Sequence, residues 1–337
     1  MEVKDAGTLG VHYLRQYWRQ RLELVQRRER QEPSMTDHNL YRILMDGLGL
    51  GIVEPDLFIF RNRPSYEQFE QWIVETVGGN LRPEVVAQLN RTVADYLAGP
   101  RHDYPIEAEI ADPVLSSEDL AFWEENGYVV LRNAVPTEDA RAAELAVWEF
   151  LDMDPQRPET WYGGQHTFWA SLFYHPALVH NRKSKRIHKA FAQIWGTENL
   201  LATVDRASLN RPMQDNDVDI SGPSALHWDA SIHQPMSFGV LGILYLNDVA
   251  ANQGAFQCVP GFHHRIGEWL ESLAPGEDPR AAALELDAIP IAAGAGDLII
   301  WRQELPHGSS RNRGHYPRIA QYIFMYPPDF PTNPVWK

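Results

Sequence analysis

Residues 287–326 read D-A-I-P-I-A-A-G-A-G-D-L-I-I-W-R-Q-E-L-P-H-G-S-S-R-N-R-G-H-Y-P-R-I-A-Q-Y-I-F-M-Y, and turn residues divide them into short apolar runs. The runs 287–292, 297–302 and 318–326 have the length and composition of β-strands. Similar runs precede them at residues 200–209, 225–233, 238–247 and 254–259. Seven short strands with glycine, proline and asparagine turns predict either a β-sandwich or a two-sheet jelly roll.

The first third of the chain has helical periodicity instead. Residues 10–31 carry apolar side chains at three- and four-residue steps, which predicts an amphipathic helix. Further helices are predicted at residues 38–52, 65–77 and 82–98. The segment Arg101–Pro113 contains two prolines and no clean period, so it is expected to connect two parts of the chain. We therefore expect a helical N-terminal extension over residues 1–112 and a β domain over residues 113–337.

Helices also flank the predicted strands of the second part. Ser116 and Ser117 precede a helix that is expected to end at Gly127, and the β-rich run 128–132 follows it. Two more helices are predicted at residues 137–151 and 185–195. The predicted fold is thus mainly β with flanking helices, and the helices are expected to pack on the outside of one sheet.

Composition limits the classes of function. The formal net charge of −15 weighs against binding to nucleic acid, because such binding relies on neutralising phosphates with Lys and Arg. The chain has neither a long apolar span nor a signal-like N-terminus, and its single cysteine, Cys258, cannot form an internal disulfide. We expect a cytoplasmic protein that binds no membrane. Six arginines between Arg15 and Arg30 favour a solvated helix face, with an anion or partner contact as the alternative.

The triplet His227-Trp228-Asp229 lies in one of the predicted strands. Alternate residues of a strand point to the same side, so the imidazole and the carboxylate can reach one metal ion while Trp228 points away. Such a triplet alone is also common as a surface His–Asp pair. His307 adds a second imidazole at the end of the run D-L-I-I-W, where the alternative is a histidine that binds a backbone carbonyl. Two imidazoles and one carboxylate form the ligand set of a non-haem ferrous ion.

Arg318 opens the last predicted strand and shares a face with Ala320, Tyr322 and Phe324. A guanidinium among apolar neighbours needs an anion, because an unpaired buried charge is costly. A small dicarboxylate co-substrate would supply this anion through a bidentate contact. The alternative is an internal acid such as Asp297.

From about residue 114 to 327 the chain resembles the phytanoyl-CoA dioxygenase family of Fe(II)/2-oxoglutarate-dependent oxygenases. The matching segments occur in the family's order and are L-A-F-W-E-E-N-G-Y-V-V-L-R-N-A-V, L-H-W-D, Y-L-N-D-V, G-A-F-Q-C-V-P-G-F-H-H, G-D-L-I-I-W, L-P-H-G-S-S-R-N-R and P-R-I-A-Q-Y. The resemblance implies a cupin-like jelly roll, known as a double-stranded β-helix. It does not extend to residues 1–112.

The resemblance also implies roles for individual residues. His227, Asp229 and His307 would bind Fe(II), while Arg318 would pair with the distal carboxylate of 2-oxoglutarate with help from Ser309. The expected activity is hydroxylation, or another oxidation, of a small organic substrate by O2 with release of succinate and CO2. Desaturation, epoxidation and rearrangement are alternatives, and secondary metabolism is the expected setting. Halogenases of the superfamily lack this carboxylate, so Asp229 favours oxidation over halogenation.

Three further residues are predicted to contact the co-substrate or line its cavity. These are Tyr245, with a core tyrosine as the alternative, and Arg211 and Gln257. Phytanoyl-CoA itself is not the expected substrate, because no basic cluster suited to its phosphates is evident. The helical extension is expected to pack against the core, with a cover over the cavity mouth, a homodimer interface and a partner site as alternatives. Outside the oxygenases, the competing hypotheses are a non-catalytic metal-binding jelly roll and a zinc hydrolase.

Overall fold

The computed structural model describes residues 6–26, 35–99, 103–162, 168–214, 225–330 and 335. The described residues of the N-terminal part form five helices, namely α1 (Leu14–Gln26), α2 (Met35–Leu48), α3 (Glu54–Asn62), α4 (Tyr66–Thr76) and α5 (Pro83–Leu97). Four of them confirm the helices expected from the periodicity. The arginines Arg27, Arg28 and Arg30 of the predicted cationic face lie outside the described residues. None of the helices in these ranges is long and apolar enough to cross a membrane.

The helix α3 was not among the predicted helices, and its sequence begins with Glu54-Pro55. Proline is tolerated in the first turn of a helix, where its missing N–H would have no partner in any case. The preceding helix α2 ends at Leu48, and Gly49 after it has a positive φ of 75°. This confirms the helix stop that the glycine-rich sequence predicts.

Six α-helices belong to the described residues of the second part of the chain. They are α6 (Ser117–Asn126), α7 (Thr137–Phe150), α8 (Pro176–Arg182), α9 (Lys185–Trp195), α10 (Ile266–Ser272) and α11 (Pro279–Ala282). The predicted limits of α6 are confirmed, because Ser116 caps it through a capping box and Gly127 ends it in the left-handed conformation. The helices α8, α10 and α11 are short and were not predicted.

The strands form antiparallel sheets. They are β1 (Tyr128–Leu131), β2 (Trp169–Ala170), β3 (Leu201–Ala202), β4 (Ala207–Asn210), β5 (Val240–Tyr245), β6 (Phe256–Cys258), β7 (Ile289–Pro290), β8 (Leu298–Arg302), β9 (His307–Ser309), β10 (Arg318–Tyr322) and β11 (Met325–Tyr326). A six-stranded sheet has the order β1-β8-β5-β10-β4-β2, a three-stranded sheet has the order β7-β6-β9, and β11 pairs with β3. The chain is therefore a mixture of helices and antiparallel sheet, with a helical N-terminal part.

The predicted strand at 225–233 is wrong. Only His227 makes a β-bridge there, with His307, and the rest of the segment is irregular. Outside this bridge, backbone carbonyls of the segment accept hydrogen bonds from a side chain and not from a partner strand. Arg280 donates to the carbonyls of Trp228 and Ala230 at 2.9 and 3.1 Å. The run 200–209 is divided into β3 and β4, and 318–326 into β10 and β11.

The six-stranded sheet is buried on both faces. Along β8, Leu298 and Ile300 pack into one apolar cluster, while Ile299 and Trp301 pack into a second. This alternation follows from the two-residue period of a strand. The first cluster includes residues of the helices on both sides of residue 112, whereas the second includes residues of the three-stranded sheet, such as Phe256 and Cys258. The second cluster adjoins the site described next.

Candidate metal centre

Three possible ligand groups converge between the two sheets. The ligand atoms of His227, Asp229 and His307 all lie within 4.8 Å of one another. Backbone bonds fix the two histidines, because His227 N donates to His307 O at 2.9 Å and His307 N donates to His227 O at 3.0 Å. The residues that the sequence separates by 80 positions are thus direct partners across a bridge.

Hydrogen bonds orient both imidazoles in the same way. The Nδ1 atom of His227 lies 2.8 Å from Ala225 O, and that of His307 lies 3.0 Å from Leu305 O. A carbonyl can only accept, so each Nδ1 carries the proton and each Nε2 is left with a lone pair. The sequence left open whether His307 binds a metal or a backbone carbonyl. In the structure Nδ1 contacts the carbonyl of Leu305, and Nε2 remains available as a metal ligand. This pattern is typical of histidines that bind a metal through Nε2.

Asp229 completes the group. Its Oδ2 lies 3.3 Å from His307 Nε2, and its Oδ1 lies 3.6 Å from His227 Nε2. Its side chain is 56% exposed, whereas that of His307 is 5% exposed, so the carboxylate forms the open side of the group. Trp228 points away, as predicted, and its indole N–H donates to Glu304 O at 2.8 Å.

The electrostatics favour a cation at this point. Burial, and then the neighbouring His307, lower the pKa of His227, which keeps its imidazole neutral and able to act as a ligand. Burial alone would raise the pKa of Asp229, but the adjacent imidazole of His307 outweighs it, so the pKa is lowered and the carboxylate is ionised. Two neutral imidazoles and an ionised carboxylate fit ferrous iron and leave room for further ligands.

Arg318 is fully buried behind Ser309, and its hydrogen bonds to the described residues all go to neutral oxygens. Its Nε donates to Gly254 O at 3.1 Å, and its two terminal nitrogens donate to Ser208 Oγ at 2.8 Å and Ser309 Oγ at 2.7 Å. The alternative partner, Asp297, instead accepts from Arg132 at 2.7 Å. Within the described part of the chain, no carboxylate forms an ion pair with Arg318. The guanidinium can therefore compensate an anion from outside the chain.

A cavity of about 610 Å³ adjoins the three possible metal ligands. Its described lining includes His227, Asp229, His307 and Ser309, together with an apolar wall that contains Trp169, Leu241, Ile243, Phe256, Trp301, Tyr322 and Phe324. The buried indole N–H of Trp301 has no hydrogen-bond partner in the described residues. A volume of this size suits a small co-substrate together with a further organic molecule.

Four predicted site residues are placed outside this described lining, namely Arg318, which lies behind Ser309, and Tyr245, Arg211 and Gln257. Tyr245 is fully buried, and its hydroxyl donates to Ile291 O at 3.0 Å while accepting from Phe256 N at 2.8 Å. Arg211 stacks over Tyr162 at 4.9 Å, and Gln257 donates to Ser309 O at 3.4 Å. Their part in binding a co-substrate stays a prediction.

The sequence analysis missed several polar residues of the cavity. His38 and Arg42 come from α2, whereas Asp205 and Arg206 directly precede β4. No spacing motif marks them, because they reach the cavity through the docking of separate elements. For Tyr322, which also lines the cavity, the sequence did contain a signal. The two-residue period of β10 places Tyr322 on the same face as Arg318.

Comparison with known proteins gives a family match over the same region. A family model described as phytanoyl-CoA dioxygenase (PhyH) matches residues 123–320. A putative phytanoyl-CoA dioxygenase from Dictyostelium discoideum is 22% identical over 263 residues, which cover 61% of this chain and 74% of that protein. Ava biosynthesis cluster protein O from Aspergillus versicolor is 24% identical over 243 residues, covering 61% of this chain and 76% of that protein.

Solved structures are similar over a comparable share of the chain. AviO1 from Streptomyces viridochromogenes Tue57 has a TM-score of 0.46 and 16% identity, covering 64% of this chain and 97% of that chain. The non-heme alpha-ketoglutarate-dependent epimerase SnoN from nogalamycin biosynthesis has a TM-score of 0.42 and 16% identity, covering 62% of this chain and 81% of that chain.

Proposed function

The chain belongs to the phytanoyl-CoA dioxygenase family and is a non-haem iron, 2-oxoglutarate-dependent enzyme, and we propose that it hydroxylates a small organic molecule. Its cofactor is Fe(II), and its co-substrates are 2-oxoglutarate and O2. The observation that carries the proposal is the convergence of two imidazoles and one carboxylate within 4.8 Å at the base of a cavity.

His227, Asp229 and His307 are the proposed iron ligands. The two histidines would bind through Nε2, because Ala225 O and Leu305 O hold the proton on Nδ1. Three ligands of this kind leave coordination positions open for the co-substrates. The backbone bridge between the two histidines would keep these positions in a fixed orientation.

Arg318 and Ser309 are the proposed anchors of 2-oxoglutarate. A fully buried guanidinium that bonds only neutral oxygens supports this role, since a dicarboxylate would supply the missing negative charge. Ser309 lines the cavity and also accepts from Arg318, so it connects the anchor with the space above the metal. Phe168 covers the guanidinium at 5.2 Å and would restrict its access to water.

Bound ferrous iron supplies the activation of O2, with electrons drawn from 2-oxoglutarate. Hydroxylation of one C–H bond would consume one molecule of each co-substrate and release succinate and CO2. The residues of the chain would contribute orientation, charge compensation and a shielded cavity. Because Asp229 fills the third ligand position, oxidation is favoured over halogenation.

We further propose that the six-stranded and three-stranded sheets form the two layers of a double-stranded β-helix within residues 113–337, preceded by the helical extension 1–112. The shared apolar cluster between the sheets supports this arrangement. A setting in secondary metabolism is supported by the A. versicolor relative, which is described as a biosynthesis cluster protein.

The test is the anaerobic addition of Fe(II) and then 2-oxoglutarate to the purified full chain. A visible metal-to-ligand charge-transfer band is expected in the wild type and is expected to be lost in Asp229→Ala. Asp287→Asn, which changes an exposed acid elsewhere, is expected to retain the band. Absence of the band, together with no succinate under O2, would refute the proposed site.

Mass spectrometry of products separates the possible reactions once a substrate turns over. Hydroxylation adds one oxygen atom while keeping all carbon skeleton bonds, desaturation removes two hydrogens, and rearrangement can leave the composition unchanged. Epoxidation also adds one oxygen atom but consumes a double bond. A product without an added oxygen atom would show that the enzyme catalyses desaturation or rearrangement and not hydroxylation.

A further inference from the structure

The N-terminal helices supply part of the cavity wall above the metal centre. His38 and Arg42 of α2, and Ile52 just after it, line the same cavity as His227 and Asp229. The packing of α2 against the strands is specific, because Tyr326 of β11 donates to Asp46 Oδ2 at 2.6 Å. The backbone N–H of Ile52 also donates to Val204 O at 3.0 Å. The extension therefore takes part in shaping the space that a substrate would occupy.

Two guanidinium groups of this cavity rest on aromatic faces. Arg42 lies over Tyr326 at 3.9 Å, and Arg206 lies over Trp169 at 4.1 Å. Stacking engages the face of a guanidinium and leaves the N–H groups at its edge free to donate. In the described part of the chain, the buried Nε atom of each arginine has no hydrogen-bond partner. The Nε donor of each group is thus unused in a largely apolar cavity.

The nearest acids form only long ion pairs with these guanidinium groups. Asp46 Oδ2 lies 3.9 Å from Arg42 Nε and already accepts from Tyr326, while Asp205 Oδ1 lies 3.5 Å from Arg206 Nε and accepts from the Arg206 backbone N–H at 2.7 Å. These distances exceed those of charge-assisted hydrogen bonds, which are about 2.7–2.9 Å. An oxyanion that enters the cavity could therefore make shorter contacts than the acids of the chain do.

We propose that the substrate is an organic acid and that Arg42 and Arg206 bind its carboxylate oxygens. This inference rests on the proposed function and names the substrate class of the same cavity. The apolar wall, with Trp169, Phe256, Trp301 and Phe324, would contact the carbon skeleton. The acid group would be distinct from the 2-oxoglutarate anchor, because Arg318 is fully buried behind Ser309.

The test uses the full chain loaded anaerobically with Fe(II) and saturating 2-oxoglutarate. Binding of aromatic carboxylic acids, from benzoate to 2-naphthoate, is compared with binding of their neutral primary amides by calorimetry. At least one acid is expected to bind tenfold or more tightly than its amide. Arg42→Gln and Arg206→Gln are each expected to weaken binding of that acid about tenfold and to leave amide binding unchanged.

Arg157→Gln is the matched control, because Arg157 is exposed and pairs with Glu159 away from the cavity lining. It is expected to bind acid and amide like the wild type. The proposal is overturned if no acid is preferred over its amide, or if the preference survives in both cavity variants. Loss of 2-oxoglutarate binding in either variant would also overturn the proposal. It would mean that the replaced arginine binds the co-substrate and not the substrate.

The charge-transfer band is recorded first in every preparation. If the band is absent in the wild type, the proposed metal site itself fails. If the band is present but acids show no preference, only the substrate class fails. Arg42 lies in α2 and Arg206 directly before β4, so a folding defect in one variant leaves the other as an independent test.

Discussion

At the scale of single residues, the site depends on carbonyl groups that fix protons. Ala225 O and Leu305 O each hold a proton on Nδ1 of the following ligand histidine, two positions further on. Both Nε2 atoms are consequently acceptors that face the same carboxylate. This arrangement places an ionised carboxylate beside two nitrogen lone pairs, which is why a metal ion fits there.

Arg318→Lys tests the proposed co-substrate anchor. A lysine keeps the positive charge but cannot offer the planar fork that binds a carboxylate through two bonds. Loss of a charged hydrogen bond costs about 1.5–3 kcal/mol, so the KM for 2-oxoglutarate is expected to rise about tenfold to a hundredfold. Succinate formation at varied 2-oxoglutarate concentration measures it.

Arg132→Lys is the control for this change, because Arg132 is largely exposed and pairs with Asp297 instead. Its KM for 2-oxoglutarate is expected to match that of the wild type. A value for Arg318→Lys within twofold of the wild type would mean that the co-substrate binds elsewhere.

At this scale, the sequence predicted His227, Asp229, His307 and Arg318 as one site, and the first three do converge within 4.8 Å. Their residue types have few other joint uses, and their order matches the family. The proposed contacts of Tyr245 could not be predicted equally well, because the same tyrosine pattern fits a core position. Its hydroxyl is in fact occupied by Ile291 O and Phe256 N.

At the scale of elements, α2 is held against the strands by a buried acid. Asp46 accepts from Tyr326 and Thr203, and burial raises its pKa to about 6 despite the opposing effect of Arg42. A raised folded-state pKa means that the folded chain binds this proton more tightly than the unfolded chain does. The contribution to stability is complete below about pH 4 and is lost as the pH rises through about 6.

Asp46→Asn removes this titration, because an amide stays neutral at every pH. Between pH 4 and pH 7, the free energy of unfolding of the wild type is expected to fall relative to the variant by on the order of 3 kcal/mol. Urea unfolding at several pH values measures the difference. The exposed Asp287→Asn control is expected to run parallel to the wild type. A constant difference between wild type and Asp46→Asn would contradict a raised pKa.

The end of α9 depends on a glycine for two reasons. Gly196 has a φ of 70°, and a Cβ atom there would lie 1.8 Å from Ile106 O. Gly276 has a φ of 86° but has no atom within 4 Å of such a Cβ. Gly276→Ala thus isolates the backbone strain, whereas Gly196→Ala adds displacement of the neighbouring chain.

Gly276→Ala is expected to cost about 1 kcal/mol of unfolding free energy, and Gly196→Ala about 2 kcal/mol or more beyond that. Urea unfolding of the two variants gives the comparison. Equal losses would show that the segment around Ile106 moves aside without cost, and that its packing on α9 is weak.

Elements that depend on local signals were predicted well. The capped helix α6 and the helix α9 follow from capping residues and terminal glycines, which act within a few residues. The strand expected at 225–233 was wrong, because a β-like composition does not ensure a partner strand. Only a bridge to His307 forms there, and Arg280 satisfies neighbouring carbonyls instead.

At the scale of the whole molecule, one apolar cluster crosses the predicted boundary at residue 112. It includes Leu44 of α2 and Phe69 of α4, together with Leu298 of β8 and Ile319 of β10. Burial of shared apolar surface couples the stability of the two parts. The two predicted parts are therefore expected to unfold together.

Leu44→Ala tests this coupling. Removing a fully buried leucine is expected to cost about 2–5 kcal/mol, and the loss should affect the helices and the sheet alike. Hydrogen exchange of α2 and β8 reports each part in the same experiment. If α2 loses protection while β8 keeps it, the extension and the β domain unfold as separate units.

The sequence by itself determined the residue chemistry, the mixture of early helices and later strands, and the family to which the chain belongs. These properties are encoded in neighbouring residues, through strand and helix periods, capping signals and motif order. Only the tertiary structure decided that His227 and His307 are bridge partners and that Arg42 and Arg206 line one cavity. Such placements depend on strand register and helix docking between distant segments, for which no local pattern exists.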